Sequence, residues 1–577
     1  MRPPLVHRPA LVKRTVRPLL GLLLLSTSLT ACLSDAYDQG DEDLGDIGDG
    51  KSDSFGIVDR GTYVSAGATR HFTFSATAAF RLTIAQPSAN DQILEVSLTT
   101  PAGDTIEVGT GAEPGAVHDP AESGGPGTYT LTITNTGDKR AHLILNVRPL
   151  GGFGDLPNPN ASVYPDVAWQ PPALAAWPAS YVIFNNPGCG RACGSQTLSA
   201  MTSRSVMIKM LVAAIHEVEQ DGTIRVSNYN ISSSASAKPV VDALLWAMQD
   251  RHATVKIVMD EAQNTPTSRT ARLAEEGAQV RFLDGLHYTN SFGDSAGIMH
   301  SKIVVVDDQV VFTGSNNFSS TGFVTNEENS VVLRAPAHDA RIAAFACDVD
   351  AMFDAGVLPG EPQKTDAERH DAILALDQCN TDEVWFPPTG KLANGSSITY
   401  GKVAGAIYGS RQSLAIAPDM MAHPGLVSAI LWRAKKAQQQ GEPYSVRLVL
   451  DGSDEALHNP AFGECLEVAA QMHGLDIQVR YWRGTPSIYQ LMHHKFMIVD
   501  QDDPVGAALY NGSANYSAKA LTWSFENVTR YRASQFRQLV DSFTARFTTL
   551  FADAQDKASM AADGHPIPSC PLDENSL

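Results

Sequence analysis

Beyond Ala31 the chain has no apolar run of the roughly 18 residues that a membrane-spanning helix needs, so no second hydrophobic anchor is expected. Positive charge is scarce: 43 Lys and Arg stand against 63 Asp and Glu, for a net charge of -20. Five of those positives (Arg2, Arg8, Lys13, Arg14 and Arg17) lie in the acid-free segment 1–31, and without it the net charge is -25. Nucleic-acid affinity comes largely from Lys and Arg neutralising phosphates, so such a chain is a poor general binder of long polyanions, although a local basic groove is compatible with it. The sequence has no Walker loop, no Gly-x-Ser-x-Gly and no His-Glu-x-x-His. It also lacks metal-ligand spacing beside the motifs described below, so neither metal nor cofactor is expected. Composition excludes wholesale disorder, with 43% hydrophobic and 18% charged residues.

Residues 1–31 combine a basic start with the apolar stretch "LLGLLLLSTSL", the pattern of an export signal. The following "LTAC" resembles a bacterial lipobox, which would make Cys32 the site of lipid attachment. Residues 32–55 carry eight acids and little to bury, and read as a solvated tether. Setting Cys32 aside leaves six cysteines: Cys189, Cys193, Cys347, Cys379, Cys465 and Cys570. An even number in an exported chain suggests disulfides, of undetermined pairing. "CGRAC" lacks the second ligand pair that a zinc site requires.

From 56 to 150, segments such as "HFTFSA", "LEVSLTT" and "TYTLTITNTG" alternate apolar with polar residues between turn residues, as in an antiparallel β-sandwich. A Pro-rich linker spans 151–175. After it, strand-like and helix-like segments alternate twice in the same order, over 176–378 and 379–577. The expected class is α/β: two repeated lobes, each a sheet flanked by helices and each with a core of its own, behind the small sandwich.

Each series ends in one copy of a motif. The first is His300-x-Lys302, four residues, Asp307, then Gly314-Ser315-x-Asn317; the second is His493-x-Lys495, four residues, Asp500, then Gly512-Ser513-x-Asn515 after an inserted "DDPVG". Residues two apart on a strand share a face, so each His projects with its Lys. This duplicated pattern resembles the signature of the phospholipase D superfamily, with the resemblance running over about residues 176–555. The insertion lengthens a hairpin loop and bears on where Ser513 and Asn515 sit.

Phosphodiester cleavage needs a nucleophile on one side of phosphorus and a proton donor on the opposite side, and imidazole can do either task near neutral pH. The resemblance implies that His300 attacks to form a phosphohistidine and that His493 is the acid and base. Lys302 and Lys495 would compensate phosphate charge, with Asn317, Asn515, Ser315 and Ser513 adding hydrogen bonds. The family also carries an acid that orients a catalytic histidine; Glu328 (alternatively Glu327) and Glu526 match it. Asp307 and Asp500 complete the motifs and are counted with the catalytic residues, although a scaffold role is favoured over substrate contact. His494, adjacent to His493, should face the other way and pack. His287 reads as a loop residue, with the substrate entrance as its alternative.

The expected activity is hydrolysis of a glycerophospholipid to phosphatidic acid and a free head group, at a membrane surface, by a monomeric exported or outer-surface lipoprotein without a stable nucleic-acid partner. A nuclease of the same superfamily and a cardiolipin-synthase-type transferase are the alternatives. A non-catalytic binding protein fits poorly with two complete motifs.

Overall fold

The computed structural model describes residues 53–55, 59–76, 80–85, 94–108, 117–118, 125, 127–138, 141–149, 156, 167–185, 198–264, 269–290, 293–368, 376–388, 397–453, 460–484, 490–503 and 506–570. The export signal, Cys32, nearly all of the acidic tether, most of the linker, Cys189 and Cys193 lie outside them.

The N-terminal region forms two sheets. One orders Asp53–Phe55, Thr69–Ala76, Gly127–Asn135, Leu94–Thr99 and Thr105–Glu107; the other orders Asp59–Val64, Ala141–Pro149, Phe80–Ala85 and Val117–His118. Their inward residues, among them Phe72, Leu98 and Leu131 from the first and Val64, Leu82 and Ile84 from the second, make one small core. Burial alternates strictly along Gly127–Asn135, as a sheet with one covered face requires. One boundary needs correcting: Asp53–Phe55, expected in the tether, pairs in parallel with Thr69–Ala76 and so belongs to the sandwich. Its apolar Phe55 lies opposite Phe74, giving this end of the acidic stretch a neighbour to pair with.

The two α/β lobes repeat one strand order. Lobe 1 runs Ser180–Asn185, Glu328–Arg334, Val310–Gly314, Lys302–Val306, Thr223–Asn228, Thr254–Asp260, Gln279–Asn290 and Gly293–Ile298. Lobe 2 runs Val384–Trp385, Val528–Arg532, Ala508–Gly512, Lys495–Val499, Ser413–Pro418, Ser445–Asp451 and Ile477–Trp482. In both, three neighbouring strands are parallel and joined through helices, while the motif strand and those beyond it are antiparallel. The motif strands "KIVVV" and "KFMIV" are therefore interior and buried along their whole length, which is why they are continuous β-branched and apolar runs.

The cores depart from expectation. Along Lys495–Val499, Met497 and Val499 face a core formed with helices Ile398–Gly409 and Pro424–Gln440, which belongs to lobe 2 alone. Phe496 and Ile498 face the other way, into a core continuous with that of lobe 1. Helix Ala533–Asp553 fills this shared core: Phe543 lies edge-on to Phe184 of lobe 1 and Phe496 of lobe 2, each at 5.0 Å. Lobe 1 therefore has no closed core of its own. Among the described residues two disulfides fasten the chain, Cys347–Cys379 at the passage between lobes and Cys465–Cys570 towards the last described residues. No helix among the described residues is long and apolar enough to cross a membrane.

Candidate active site

Each motif histidine stands just before the central strand of its sheet, and the fold brings these two places together. Met299 bridges Phe525, and Met492 bridges Glu327, both in parallel register. Backbone bonds secure the junctions: His300 N–H donates to the Phe525 carbonyl at 2.8 Å, and His493 N–H to the Glu327 carbonyl at 3.0 Å. The residue after each bridge is thus a histidine from one lobe beside a glutamate from the other. Nδ1 of His300 lies 2.9 Å from Oε1 of Glu526. Nδ1 of His493 lies 2.7 Å from Oε1 of Glu328, a close polar contact outside hydrogen-bond geometry. The sequence identifies both acids; it does not show that they are exchanged between lobes. Glu327, the alternative, is committed elsewhere, to a buried ion pair with Arg546.

With Nδ1 turned to a carboxylate in both cases, Nε2 of each ring is left for chemistry. Both lysines are buried. Lys302 Nζ donates to the carbonyl of His300 at 2.6 Å and Lys495 Nζ to that of His493 at 2.8 Å, which draws each ammonium back beside its own histidine. Asn317 and Asn515 complete the set: the side-chain oxygen of each is buried without a hydrogen-bond partner among the described residues, in the same place in both copies. Unmet acceptors at matching positions suit a site that meets ordered water or a hydrogen-bond donor of its ligand there.

Other motif positions serve the scaffold. Asp307 accepts backbone N–H groups from Glu219 at 2.6 Å and Thr223 at 2.7 Å. Asp500 accepts from Arg411 at 2.9 Å, Gln412 at 2.6 Å and Ser413 at 3.1 Å. Each lies at the far end of its strand, about 16 Å from the lysine at roughly 3.3 Å per residue. Counting them with the catalytic groups is therefore corrected: they tie the motif turn to the neighbouring strand. Both have positive φ (48° and 52°), which Asp tolerates better than most residues.

Ser315 and Ser513, expected at the phosphate, are also corrected. Their hydroxyls accept the backbone N–H of Asn329 and Asn527, each at 2.9 Å, and both side chains are buried. The match between copies shows that the inserted "DDPVG" displaces neither serine. Gly314 and Gly512 precede these serines where a side chain would meet the Asn329 and Asn527 carbonyls at 2.0 and 2.1 Å.

His494 packs as expected, within ring contact of Phe184 and Phe496, with Asn329 Nδ2 at 3.1 Å from its Nδ1. Burial, then Arg546, Lys495 and His493, keeps it well below the usual imidazole range and hence neutral. His287 is an exposed strand residue paired with Asp366 at 3.2 Å.

Several site residues escape the motif reading. Asp260 and Asp451 end equivalent strands and accept the N–H of Met299 and Met492, the residues just before the histidines. Their signal is the repeat itself, "VMD" against "VLD", at nearly equal distances from the two motifs. Burial raises each carboxyl to about 7. Lys519, on the short helix Ala518–Thr522, adds positive potential at His300 and Glu526. Tyr229 lies edge-on to His300 with ring centroids 5.3 Å apart, and Asp419 lies 3.4 Å from Lys495 Nζ; the residue type is not repeated between the copies, so self-comparison cannot find them.

Electrostatically, His300 is driven well below the usual imidazole range by burial, then by Lys302, Lys495 and His493. Burial pushes its partner Glu526 up to about 8 against the pull of Lys302. A neutral imidazole donating from Nδ1 has its lone pair on Nε2, the form a nucleophile requires. Among the described residues no group of three or more His, Cys, Asp or Glu side chains is placed to hold a metal ion.

A family model described as "Cardiolipin synthase, PLD-like domain" matches residues 200–354 and 405–550, just over half of the chain. A protein named Phospholipase D Y from Dictyostelium discoideum is 29% identical over 85 residues, covering 15% of this chain and 18% of that protein, so the match spans under a fifth of that relative's length. Among solved structures, phosphatidylserine synthase of Haemophilus influenzae Rd KW20 aligns at 13% identity over 59% of this chain and 83% of that one, with a TM-score of 0.44. Nuc from Salmonella typhimurium, titled a phospholipase D family member, aligns at 23% identity over 31% of this chain and 95% of its own, with a TM-score of 0.22.

Proposed function

The chain belongs to the phospholipase D superfamily, whose members are phosphodiesterases or phosphotransferases, and from that premise we propose that it hydrolyses glycerophospholipids to phosphatidic acid and a free head group. Nε2 of His300 attacks phosphorus and the bond to the head-group oxygen breaks, while His493 gives that oxygen its proton. Water then attacks the phosphohistidine, the phosphorus–nitrogen bond breaks, and His493 takes up the proton that water loses. Lys302 and Lys495 hold the non-bridging oxygens, with Asn317 and Asn515 beside them. These lysines supply the charge compensation that a divalent cation gives elsewhere, so turnover should persist in EDTA.

The observation that carries this reading is the exchange of glutamates. Each histidine faces a glutamate of the opposite lobe, which supports two half-sites combining into one centre. The neutral state of His300 supports its assignment as nucleophile. The net charge and the export-type N-terminal segment support a lipid substrate over nucleic acid, and Cys32 as a lipid anchor outside the cytoplasm. Having both motifs in one chain supports a monomer. Transfer of the phosphatidyl group to an alcohol would use the same intermediate, and the description of the matching family model favours it as the second reading.

Purified protein starting at Lys51, which keeps the Asp53–Phe55 strand, should release choline or ethanolamine from phospholipid vesicles in EDTA. Cardiolipin formed from phosphatidylglycerol without net hydrolysis would establish the transferase instead. Salt-sensitive cleavage of single-stranded DNA with no lipid turnover would remove both lipid readings.

A further inference from the structure

The half-sites match in every motif residue and differ at the strand beside them. In lobe 1 Asn228 lies opposite Lys302; in lobe 2 Pro418 lies opposite Lys495. The next residues, Tyr229 and Asp419, are therefore equivalent in position and opposite in character. Tyr229 offers an aromatic ring, 5.3 Å from the His300 ring and 5.8 Å from Lys302 Nζ. Asp419 offers a carboxylate, whose Oδ2 lies 3.4 Å from Lys495 Nζ and 3.8 Å from Nε2 of His493.

This carboxylate is firmly built in. Its own N–H donates to the His494 carbonyl at 2.6 Å, and its side chain is hydrogen-bonded to Asn515. Although burial disfavours its charge, Lys495 and His493 outweigh that and keep it ionised. Its location is the puzzle. A phosphodiester is an anion, and a fixed negative charge beside the reacting nitrogen of His493 opposes its binding. Orientation of His493 does not call for it, because Glu328 already faces Nδ1. The opposition turns into attraction if the substrate brings a positive charge to that side of phosphorus. With His493 as the proton donor, that is the side of the leaving alcohol.

We infer that Asp419 is a specificity-determining residue that selects phosphodiesters whose leaving alcohol carries an ammonium group, while the Tyr229 side receives the uncharged part of the substrate. A two-carbon amino alcohol places its ammonium next to the leaving oxygen, close enough to meet Asp419 as the proton arrives from His493. Unlike Glu328, Asp419 has no counterpart in lobe 1, as suits a group that reads only one of the two ester arms.

The inference rests on the proposed roles of the two histidines, and its test is arranged to fail separately from the lipid reading. Turnover of the soluble diester bis(p-nitrophenyl) phosphate is inhibited with phosphocholine and, in parallel, with glycerol 3-phosphate, in the wild type and in Asp419→Asn. Wild type should bind phosphocholine roughly 10- to 100-fold more tightly, the range of a charge-assisted contact. Asp419→Asn should bring the two within about threefold of each other. The wild-type arm needs no variant to fold, and equal inhibition there overturns the inference. It is also overturned if Asp419→Asn keeps the preference, or weakens both inhibitors alike while shifting the pH–rate profile, since Asp419 would then position His493. Loss of the lipid reading appears elsewhere, as diester turnover without cleavage of any phospholipid, and the inhibitor ratio still decides the role of Asp419.

Discussion

The two lobes carry the same machinery in different surroundings. Histidine, lysine, asparagine, the stapling serine and the turn aspartate occupy matching places, and the bridges that join the lobes are mirrored. Yet His300 lies among Tyr229, Lys302, Lys495 and Lys519, and is neutral, whereas His493 has an anion 3.8 Å from its Nε2. Duplication supplies the groups; the residues around them give the two copies different surroundings. Two imidazoles in identical surroundings would share a single proton equally, and the proposed roles rest on unlike neighbours that favour one arrangement over the other.

The harshest way to break the comparison is to delete one imidazole at a time. His300→Ala and His493→Ala should each lower kcat on the order of 10⁴-fold or more, because neither lobe can supply the missing role. Rapid quench with labelled substrate should place the phosphoryl group on His300. A stable adduct on His493 would reverse the roles.

Exchange of glutamates predicts damage across the lobes. Glu526→Gln should impair phospho-enzyme formation through His300, and Glu328→Gln should impair proton transfer by His493, each by roughly 10²-fold as for groups that orient a catalytic base. Single-turnover kinetics separate the two steps. If Glu526→Gln slowed only hydrolysis of the intermediate, the crossed pairing would not govern the chemistry.

Smaller and purely structural effects should come from the turn aspartates. Asp500→Ala leaves three backbone N–H groups without their acceptor and Asp307→Ala leaves two. Costs of about 1–3 kcal/mol are expected, the larger for Asp500, with kcat nearly unchanged in the folded protein. Denaturant unfolding and kcat measured on the same samples check this. A collapse of kcat with unchanged stability would return Asp307 or Asp500 to the catalytic set.

The smallest effect is one the lobes should share. Asp260 and Asp451 are raised by burial to about 7 from an ordinary carboxyl value. A raised carboxyl contributes its full stability below the unfolded-state value of about 4 and loses it as pH rises through about 7. The melting temperature of wild type should therefore fall from about pH 6 to pH 8 more than that of the Asp260→Asn/Asp451→Asn variant, by a few degrees at most. Equal slopes for the two would mean that these carboxyls do not titrate in that window.

Much of this was readable in the chain. Duplicated spacing exposed the paired histidines and lysines, and period-two and helical patterns exposed the lobes, because buried strands and amphipathic helices leave local signatures. What depends on distant residues did not show. Nothing local to Glu328 says that it faces His493 and not His300, since a bridge between residues 327 and 492 decides that. Ser315 looks like a phosphate ligand in a Gly-Ser-x-Asn turn until Asn329, 14 residues later, folds back upon it. A separate core for each lobe followed naturally from a repeat, and the amphipathic pattern of helix Ala533–Asp553 could not reveal that its aromatic face serves two sheets.

That helix also sets a timetable. It follows lobe 1 in the chain by well over a hundred residues, so lobe 1, made first, waits with the face around Phe184 uncovered until Phe543 arrives. At ordinary elongation rates the interval is roughly ten seconds or more. Glu526, which holds His300, is equally late. A nascent chain thus carries His300 without its glutamate, and the candidate site is assembled only once the second lobe has been made.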